Sequence, residues 1–237
     1  EAEVAREHGP CPECKDVLAI KVRPHVSWRE ILRLLLTRYR RRTLLGFVLM
    51  AAQAFFYNAI FFTYALVLTT FYGVAAADVG YYIFPFAVGN FLGPLILGRL
   101  FDSVGRRALI AATYAIAGLG LLVSGYAFAE GWLDARTQTL CWSVIFFFAS
   151  AAASSAYLTV SEIFPLEMRA VSISIFYAIG TGVGGFVGPA LYGTLIEMGS
   201  RSALFAGYAV AAILMGSAAL VAALLGIDAE RKPLETI

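Results

Sequence analysis

The sequence predicts an all-α membrane protein with six transmembrane helices, and two observations carry this prediction. First, 60% of the 237 residues are hydrophobic and only 14% are charged, whereas soluble proteins average about 25% charged residues. Second, six apolar stretches contain no Asp, Glu, Lys, Arg or His, and each approaches or exceeds the roughly 20 residues that a helix needs to cross the hydrocarbon core. They are Leu44 to Thr70, Val79 to Leu97, Ala108 to Ala129, Leu140 to Val160, Ala170 to Ile196 and Ala203 to Ile227.

Three regions follow from this division: a polar lead-in over 1–43, a six-span bundle over 44–227 and a short tail over 228–237. Within the lead-in, Ser27 to Glu30 matches the capping-box pattern, which predicts a helix that begins at about residue 27. Apolar residues then recur at helical spacing between arginines, which is typical of a helix at the surface of an anionic leaflet. A plain basic stop before the membrane is the alternative. The apolar positions are Trp28, Ile31, Leu32, Leu35 and Tyr39.

Basic residues predict the orientation, because loops rich in Lys and Arg stay on the cytoplasmic side. With the lead-in inside, sixteen Lys and Arg residues fall on the cytoplasmic side and only Arg136 and Arg201 fall outside. We therefore expect both termini in the cytoplasm and a location in the cell membrane. The net charge of +2 gives no support for a nucleic-acid partner.

The loop Gly98 to Arg107 joins the second and third spans and has the pattern G-x-x-x-D-x-x-G-R-R. This pattern resembles the signature loop of the major facilitator superfamily of secondary transporters. The resemblance implies a half-bundle of three helices plus three inverted helices. It also implies that this loop belongs to a cytoplasmic gate, with Gly98, Asp102, Gly105, Arg106 and Arg107 as its residues.

A second loop, Ser161 to Arg169, follows the fourth span and resembles the E-x-x-P-x-x-x-R loop of sugar porters. Glu162 and Arg169 are then expected to exchange partners with Arg106 and Asp102 as the gate opens and closes. The tail is loosely similar to the porters' E-T-K-G-x-x-L-E-x-I ending, so the resemblance covers almost the whole chain. It implies the C-terminal half of a twelve-helix carrier, in which 1–43 links the halves and an N-terminal six-helix half is the partner.

Polar residues inside the spans predict a substrate site, since polar groups in lipid are costly and usually have a purpose. Gln53 and Asn58 keep the Q-x-x-x-x-N spacing that resembles the sugar-contacting element of sugar porters. Ala153 to Tyr157, in contrast, stands where sugar porters have G-P-x-P-W. The expected solute is therefore a small polar organic molecule, either a sugar or an organic or aromatic acid. Hydrogen bonds between helices are the alternative role. The candidate contacts are Gln53, Tyr57, Asn58, Tyr64, Asn90 and Tyr157.

Energy coupling cannot be placed in these spans, because they contain no titratable group at the midplane. A proton-driven carrier would need its carboxylate in the N-terminal half, and a uniporter remains the alternative. A receptor that keeps the carrier fold without transport is the competing function. An enzyme is disfavoured, because no Ser/His, paired-Asp or metal constellation lies in the spans, and we expect no cofactor.

One cysteine pair raises the question of a metal. Cys11 and Cys14, with His8 and His25, have ligand types that zinc accepts. Nothing else in the sequence favours a folded metal site, and two reduced cytosolic thiols are the expected state.

Overall fold

The computed structural model describes residues 27–226, apart from the side chains of Asp102, Leu166 and Glu167. All regular structure in that part of the chain is helical, in the order α1 (Trp28–Leu36), α2 (Arg40–Phe61), α3 (Tyr64–Tyr72), α4 (Val79–Ser103), α5 (Arg106–Ala129), α6 (Ala135–Ile163), α7 (Leu166–Glu197) and α8 (Arg201–Leu225). Six of these, α2 and α4 to α8, are long and apolar enough to cross a membrane. The predicted fold class is confirmed.

The prediction that Leu44 to Thr70 forms one continuous helix is wrong, because α2 ends at Phe61 and α3 begins at Tyr64. The Thr63 hydroxyl donates to the carbonyl of Ala59. The Asn58 amide donates to the carbonyl of Ala54 over 2.7 Å. Side chains that bond to carbonyls four residues back compete with the backbone ladder and bend a helix. α2 alone, with 22 residues, reaches about 33 Å, and α3 forms a separate short segment beyond it.

Two helix starts differ from the sequence-based prediction. α1 does begin directly after Ser27, but the predicted capping box is wrong, because Ser27 makes no side-chain capping hydrogen bond. A capping box forms instead before α6, where the Asp134 carboxylate accepts the Thr137 backbone N–H over 2.7 Å. The Thr137 hydroxyl accepts the Asp134 backbone N–H in return. This cap extends α6 beyond the apolar stretch that begins at Leu140.

The bundle consists of two triplets of spans, α2 to α5 and α6 to α8, with α3 attached to the first. If the triplets are exchanged, α2 corresponds to α6, α4 to α7 and α5 to α8. The contact of α2 with α7 then becomes the contact of α6 with α4, and the contact of α5 with α8 corresponds to itself. The smaller contacts of α5 with α6 and of α2 with α8 also interchange. Successive membrane spans run in opposite directions, so corresponding helices are antiparallel. The packing therefore agrees with the predicted three-plus-three inverted repeat.

Glycines bring the backbones together at the two equivalent contacts. A methyl group on Gly184 of α7 would stand 2.5 Å from the backbone of α2, and Gly180 and Gly188, one turn to either side, also face α2. At the corresponding contact, Gly89 and Gly93 of α4 lie against backbone carbonyls of α6. Small residues permit this close approach, which is the main source of helix affinity in lipid.

The α5–α8 pair is closed at both ends by arginines. Arg107, in the first turn of α5, donates from Nε to the carbonyl of Ala223 near the end of α8 over 2.8 Å. Arg201, the first residue of α8, donates to the carbonyl of Phe128 near the end of α5 over 3.0 Å. The last carbonyls of a helix have no intrahelical partner and attract cations. Each helix therefore caps the other.

We call the end of the bundle that carries Arg38 to Arg42, Arg106 and Arg107 the basic face. The opposite end, at which α8 begins with Arg201, is the far face.

Candidate functional site

The gate prediction concerns the basic face, where the structure joins two helix ends. Arg106 is the first residue of α5, and Glu162 lies in the last turn of α6. Their side chains form an ion pair, with 16% and 19% of the side chains exposed. The helix dipole disfavours a cation at a helix start and an anion at a helix end. Arg106 at the start of α5 and Glu162 at the end of α6 are each unfavourable for the dipole of their own helix, and the ion pair neutralises both charges.

The loop before α5 depends on one glycine conformation. Gly105 adopts φ of 109° and ψ of 133°, a region that L-residues with side chains rarely enter. Gly98 differs, because a methyl group there would meet nothing within 4 Å. The side chain of Asp102 lies outside the described residues, so its pairing with Arg106 stays a prediction.

Other arginines of the basic face bind helix-end carbonyls. Arg42, in the first turn of α2, donates to the carbonyl of Ile163 over 2.6 Å. Arg169 donates to the carbonyl of Phe164 over 3.4 Å. Both carbonyls belong to the end of α6, the helix that also carries Glu162. The end of α6 is thus held by residues from the starts of α2, α5 and α7.

Deeper in the bundle the structure brings together four of the six predicted substrate contacts. The Tyr57 hydroxyl of α2 donates to Oδ1 of Asn90 on α4 over 2.7 Å. The Tyr157 hydroxyl of α6 is in polar contact with Gln53 of α2. Gln53 and Tyr57 are one helical turn apart, so the two pairs are neighbours. We call Gln53, Tyr57, Asn90 and Tyr157 the polar cluster.

The other two predicted contacts lie elsewhere. The Asn58 amide bonds within its own helix, and the side chain faces Gly185 of α7. Tyr64 is buried in the core, and its hydroxyl donates to the carbonyl of Tyr82 over 3.0 Å and is hydrogen-bonded with Thr139 over 2.8 Å. The Tyr64 hydroxyl is thus already bonded inside the core.

A cavity of about 210 Å³ lies between α4 and α6, beside Arg106. Its lining includes Arg106, Gly98, Ser154 and Ser155. The two serines belong to the stretch that stands in place of the sugar porters' G-P-x-P-W. A guanidinium beside hydroxyl groups provides donors for the oxygens of a small polar solute.

The sequence matches one protein family over most of its length. Residues 13–227 match the family described as "Sugar (and other) transporter". The chain belongs to that family. The match covers all six spans, and with them it identifies a multi-pass membrane protein of the sugar porter-like branch of the major facilitator superfamily. No curated protein matches the chain.

Membership in this family identifies the chain as part of a transporter. The candidate zinc ligands His8, Cys11, Cys14 and His25 lie outside the described residues. Within residues 27–226, the described side chains include no group of three or more potential metal ligands.

Sequence reasoning missed two kinds of residue in this member of the family. Arg42 and Arg201 bind carbonyls that lie 121 and 73 positions away, and no local pattern identifies such pairs. Ser150, which is in polar contact with the Tyr57 hydroxyl, was also missed. Its spacing of seven residues from Tyr157 on α6 could have placed both on one helix face.

Proposed function

We propose that this chain is the C-terminal half of an alternating-access carrier for a small polar organic solute, a sugar or an organic acid. In this proposal an N-terminal six-helix half completes the carrier, and residues 1–43 link the two halves. The carrier lies in the cell membrane with both termini of this chain in the cytoplasm. Sixteen of the eighteen Lys and Arg residues fall on that side, which supports the orientation.

The ion pair of Arg106 with Glu162 is the observation that carries the proposal. It joins the start of α5 to the end of α6 at the proposed cytoplasmic mouth. Partly exposed pairs are individually weak, about 0 to 1 kcal/mol at a surface. Such a pair suits a gate, because the two states of a carrier must differ by only a few kcal/mol if both are to be populated. When the pair separates, each charge is left without its partner at a helix end whose dipole disfavours it.

The polar cluster is the proposed substrate site. Gln53 and Asn90 carry amides that both donate and accept, and the hydroxyls of Tyr57 and Tyr157 do the same. The Tyr57 hydroxyl is bonded to Asn90, and the Tyr157 hydroxyl is in polar contact with Gln53, so the hydroxyl or carboxylate groups of a bound solute can take over these contacts. Asn58 and Tyr64 are predicted contacts that would require a rearrangement of α2 or α3.

Proton coupling belongs to the proposed N-terminal half. The six apolar stretches contain no carboxylate, imidazole or amine, so the proton-binding group of a symporter has to lie outside them. If coupling exists, uptake increases with an inward proton gradient and falls when an uncoupler is added.

The test uses the full gene product that contains this chain, reconstituted in proteoliposomes. Radiolabelled sugars and organic acids are offered singly, and counterflow identifies the substrate. We expect saturable uptake, which Arg106→Gln or Glu162→Gln changes about tenfold, equivalent to about 1.4 kcal/mol in a barrier. The double exchange Arg106→Glu/Glu162→Arg should recover part of the rate. Arg99→Gln is the matched control, because Arg99 is an exposed arginine of the same loop that does not belong to the ion pair.

Two results would contradict the proposal. Saturable ligand binding without uptake or counterflow would identify a receptor with the carrier fold. Equal uptake by wild type, Arg106→Gln and Glu162→Gln would exclude the ion pair as a gate, even if transport itself were established.

A further inference from the structure

Two cavities on the basic face share one arginine and are lined neither by the polar cluster nor by the Arg106–Glu162 ion pair. An apolar groove of about 380 Å³ lies between α1, α2 and α7, and its lining includes Leu32, Leu44, Phe47 and Ile179. A basic cavity of about 470 Å³ lies beside it where the turn after α1 meets the end of α8. Arg40 lines both cavities. Each has the volume of an ordinary small-molecule pocket.

The basic cavity concentrates positive charge. It is lined by the consecutive run Arg38 to Arg42, of which only Tyr39 is uncharged. Arg38, Arg40 and Arg41 are exposed, and the described side chains of residues 27–226 place no carboxylate within ion-pair distance of these three. Arg40 and Arg41 also stand in the first turn of α2, where the helix dipole adds positive potential and backbone N–H groups are free.

α1 shows why the groove faces lipid. Ile31 and Leu35 are buried against the bundle, whereas Trp28, Leu32 and Leu36, four residues apart along the helix, are exposed. The charged residues Arg29, Glu30 and Arg33 lie opposite the buried pair, and the exposed apolar row lies between the two. A helix with a charged face beside an exposed apolar face suits the membrane surface. The groove therefore opens among lipid chains, at the level where headgroups meet hydrocarbon.

We propose that this composite site binds one anionic phospholipid, with its phosphate among Arg38, Arg40 and Arg41 and an acyl chain along the apolar groove. The acyl chain gains little from the groove, because its alternative environment is also hydrocarbon. Selectivity therefore comes from the headgroup. An arginine near the membrane surface favours an anionic lipid by about fivefold. The expected preference is for headgroup charge and not for chain length.

The test measures which lipid stays with the purified full chain. The protein is equilibrated in mixed micelles of phosphatidylcholine and phosphatidylglycerol that carry identical acyl chains, and the retained lipids are counted by native mass spectrometry. Wild type should retain phosphatidylglycerol at least about fivefold above its share of the mixture. Arg40→Gln/Arg41→Gln should bring that enrichment close to one. This variant should also fold, because it removes cations from a helix start that disfavours them.

The matched control is Arg29→Gln/Arg33→Gln, which removes two exposed arginines of α1 that line neither cavity. It should keep the enrichment of wild type within about twofold. An equal loss in the control would overturn the proposal, because it would indicate general surface attraction. Equal retention of both lipids by wild type would overturn it as well, because the arginines would then not select an anionic headgroup.

A third arm separates the phospholipid from a free anion. Leu44→Trp leaves the arginines unchanged but fills the groove. An acyl chain then clashes with the indole ring when the phosphate lies among the arginines, so retention of phosphatidylglycerol should fall. Inorganic phosphate at the same molar ratio should displace little lipid. Full displacement by phosphate, or unchanged retention in Leu44→Trp, would show that the cavity takes the anion alone and would refute the phospholipid assignment.

Discussion

Arg201 on the far face provides the sharpest stability prediction, because one guanidinium joins three helices. It donates to the carbonyl of Phe128 over 3.0 Å and to the carbonyl of Phe71 over 3.1 Å. Its charge lies 4.8 Å from the ring of Phe128, 5.2 Å from that of Tyr72 and 5.9 Å from that of Phe71. Arg201→Met removes all five contacts and keeps much of the side-chain volume.

The magnitude follows from these distances. A hydrogen bond to a charged group contributes about 1.5–3 kcal/mol, and a cation over an aromatic ring at a partly exposed site contributes about 0.5–1 kcal/mol. Against these stand about 2 kcal/mol of arginine side-chain entropy and the access of water to the freed carbonyls at the end of the bundle. We expect a net loss of about 2–4 kcal/mol, which in a domain of this size lowers the melting temperature by about 5–12 °C.

The assay is thermal unfolding of the purified chain in detergent, combined with hydrogen exchange. Arg136→Met is the control, because Arg136 is an exposed arginine on the same face. Exchange should rise at the last turns of α3 and α5 and stay unchanged at the basic face. Arg201→Lys should be intermediate, since an ammonium cannot reach both carbonyls with a planar fork. Equal melting temperatures for Arg201→Met and Arg136→Met would refute the reasoning.

Two further predictions concern helix packing and capping. Gly184→Ala should lower stability by about 1–3 kcal/mol through overpacking against α2; Gly182→Ala, which meets nothing within 4 Å, should be neutral or stabilising by up to about 1 kcal/mol, and equal melting shifts would contradict the close-packing account. The Thr137 backbone N–H that the Asp134 carboxylate accepts holds the pKa of that carboxyl below its usual value. Because the folded pKa is depressed, the stabilisation is present above about pH 4 and is lost as pH falls through the folded pKa. The melting gap between wild type and Asp134→Ala should therefore narrow on acidification, and a constant gap would count against a charged cap.

Features that depend on the residues of a single helix could be predicted from the sequence. Apolar length identified the six spans. Gly180, Gly184 and Gly188 are four residues apart, a spacing that places them on one helix face, and the structure packs this face on α2. The break between Phe61 and Tyr64 could not be predicted in this way. It contains neither Pro nor Gly, and its cause is a threonine and an asparagine that bond to carbonyls behind them.

The candidate site shows the same division. The two loop patterns identified Arg106 and Glu162 as neighbours, and the structure joins them. Arg107, which the same pattern placed in the gate, binds the carbonyl of Ala223 instead. Every helix end offers several free carbonyls and several arginines lie nearby, so the sequence alone leaves the choice among partners open. The polar cluster could be recognised only in the structure, since its members come from α2, α4 and α6.

The arginine caps at both ends of the α5–α8 pair also affect how the protein fits its bilayer. Arg107 and Arg201 fix the two helices in register, so neither can slide or tilt independently of the other. α5 has 24 residues and α8 has 25, so each helix is about 36 Å long. The hydrocarbon core of a typical bilayer is about 30 Å thick. A thinner membrane must therefore be met by tilting the pair as one body or by stretching the surrounding lipid. The lengths of the spans set the thickness that this bundle prefers, and two guanidinium groups make α5 and α8 respond to it together.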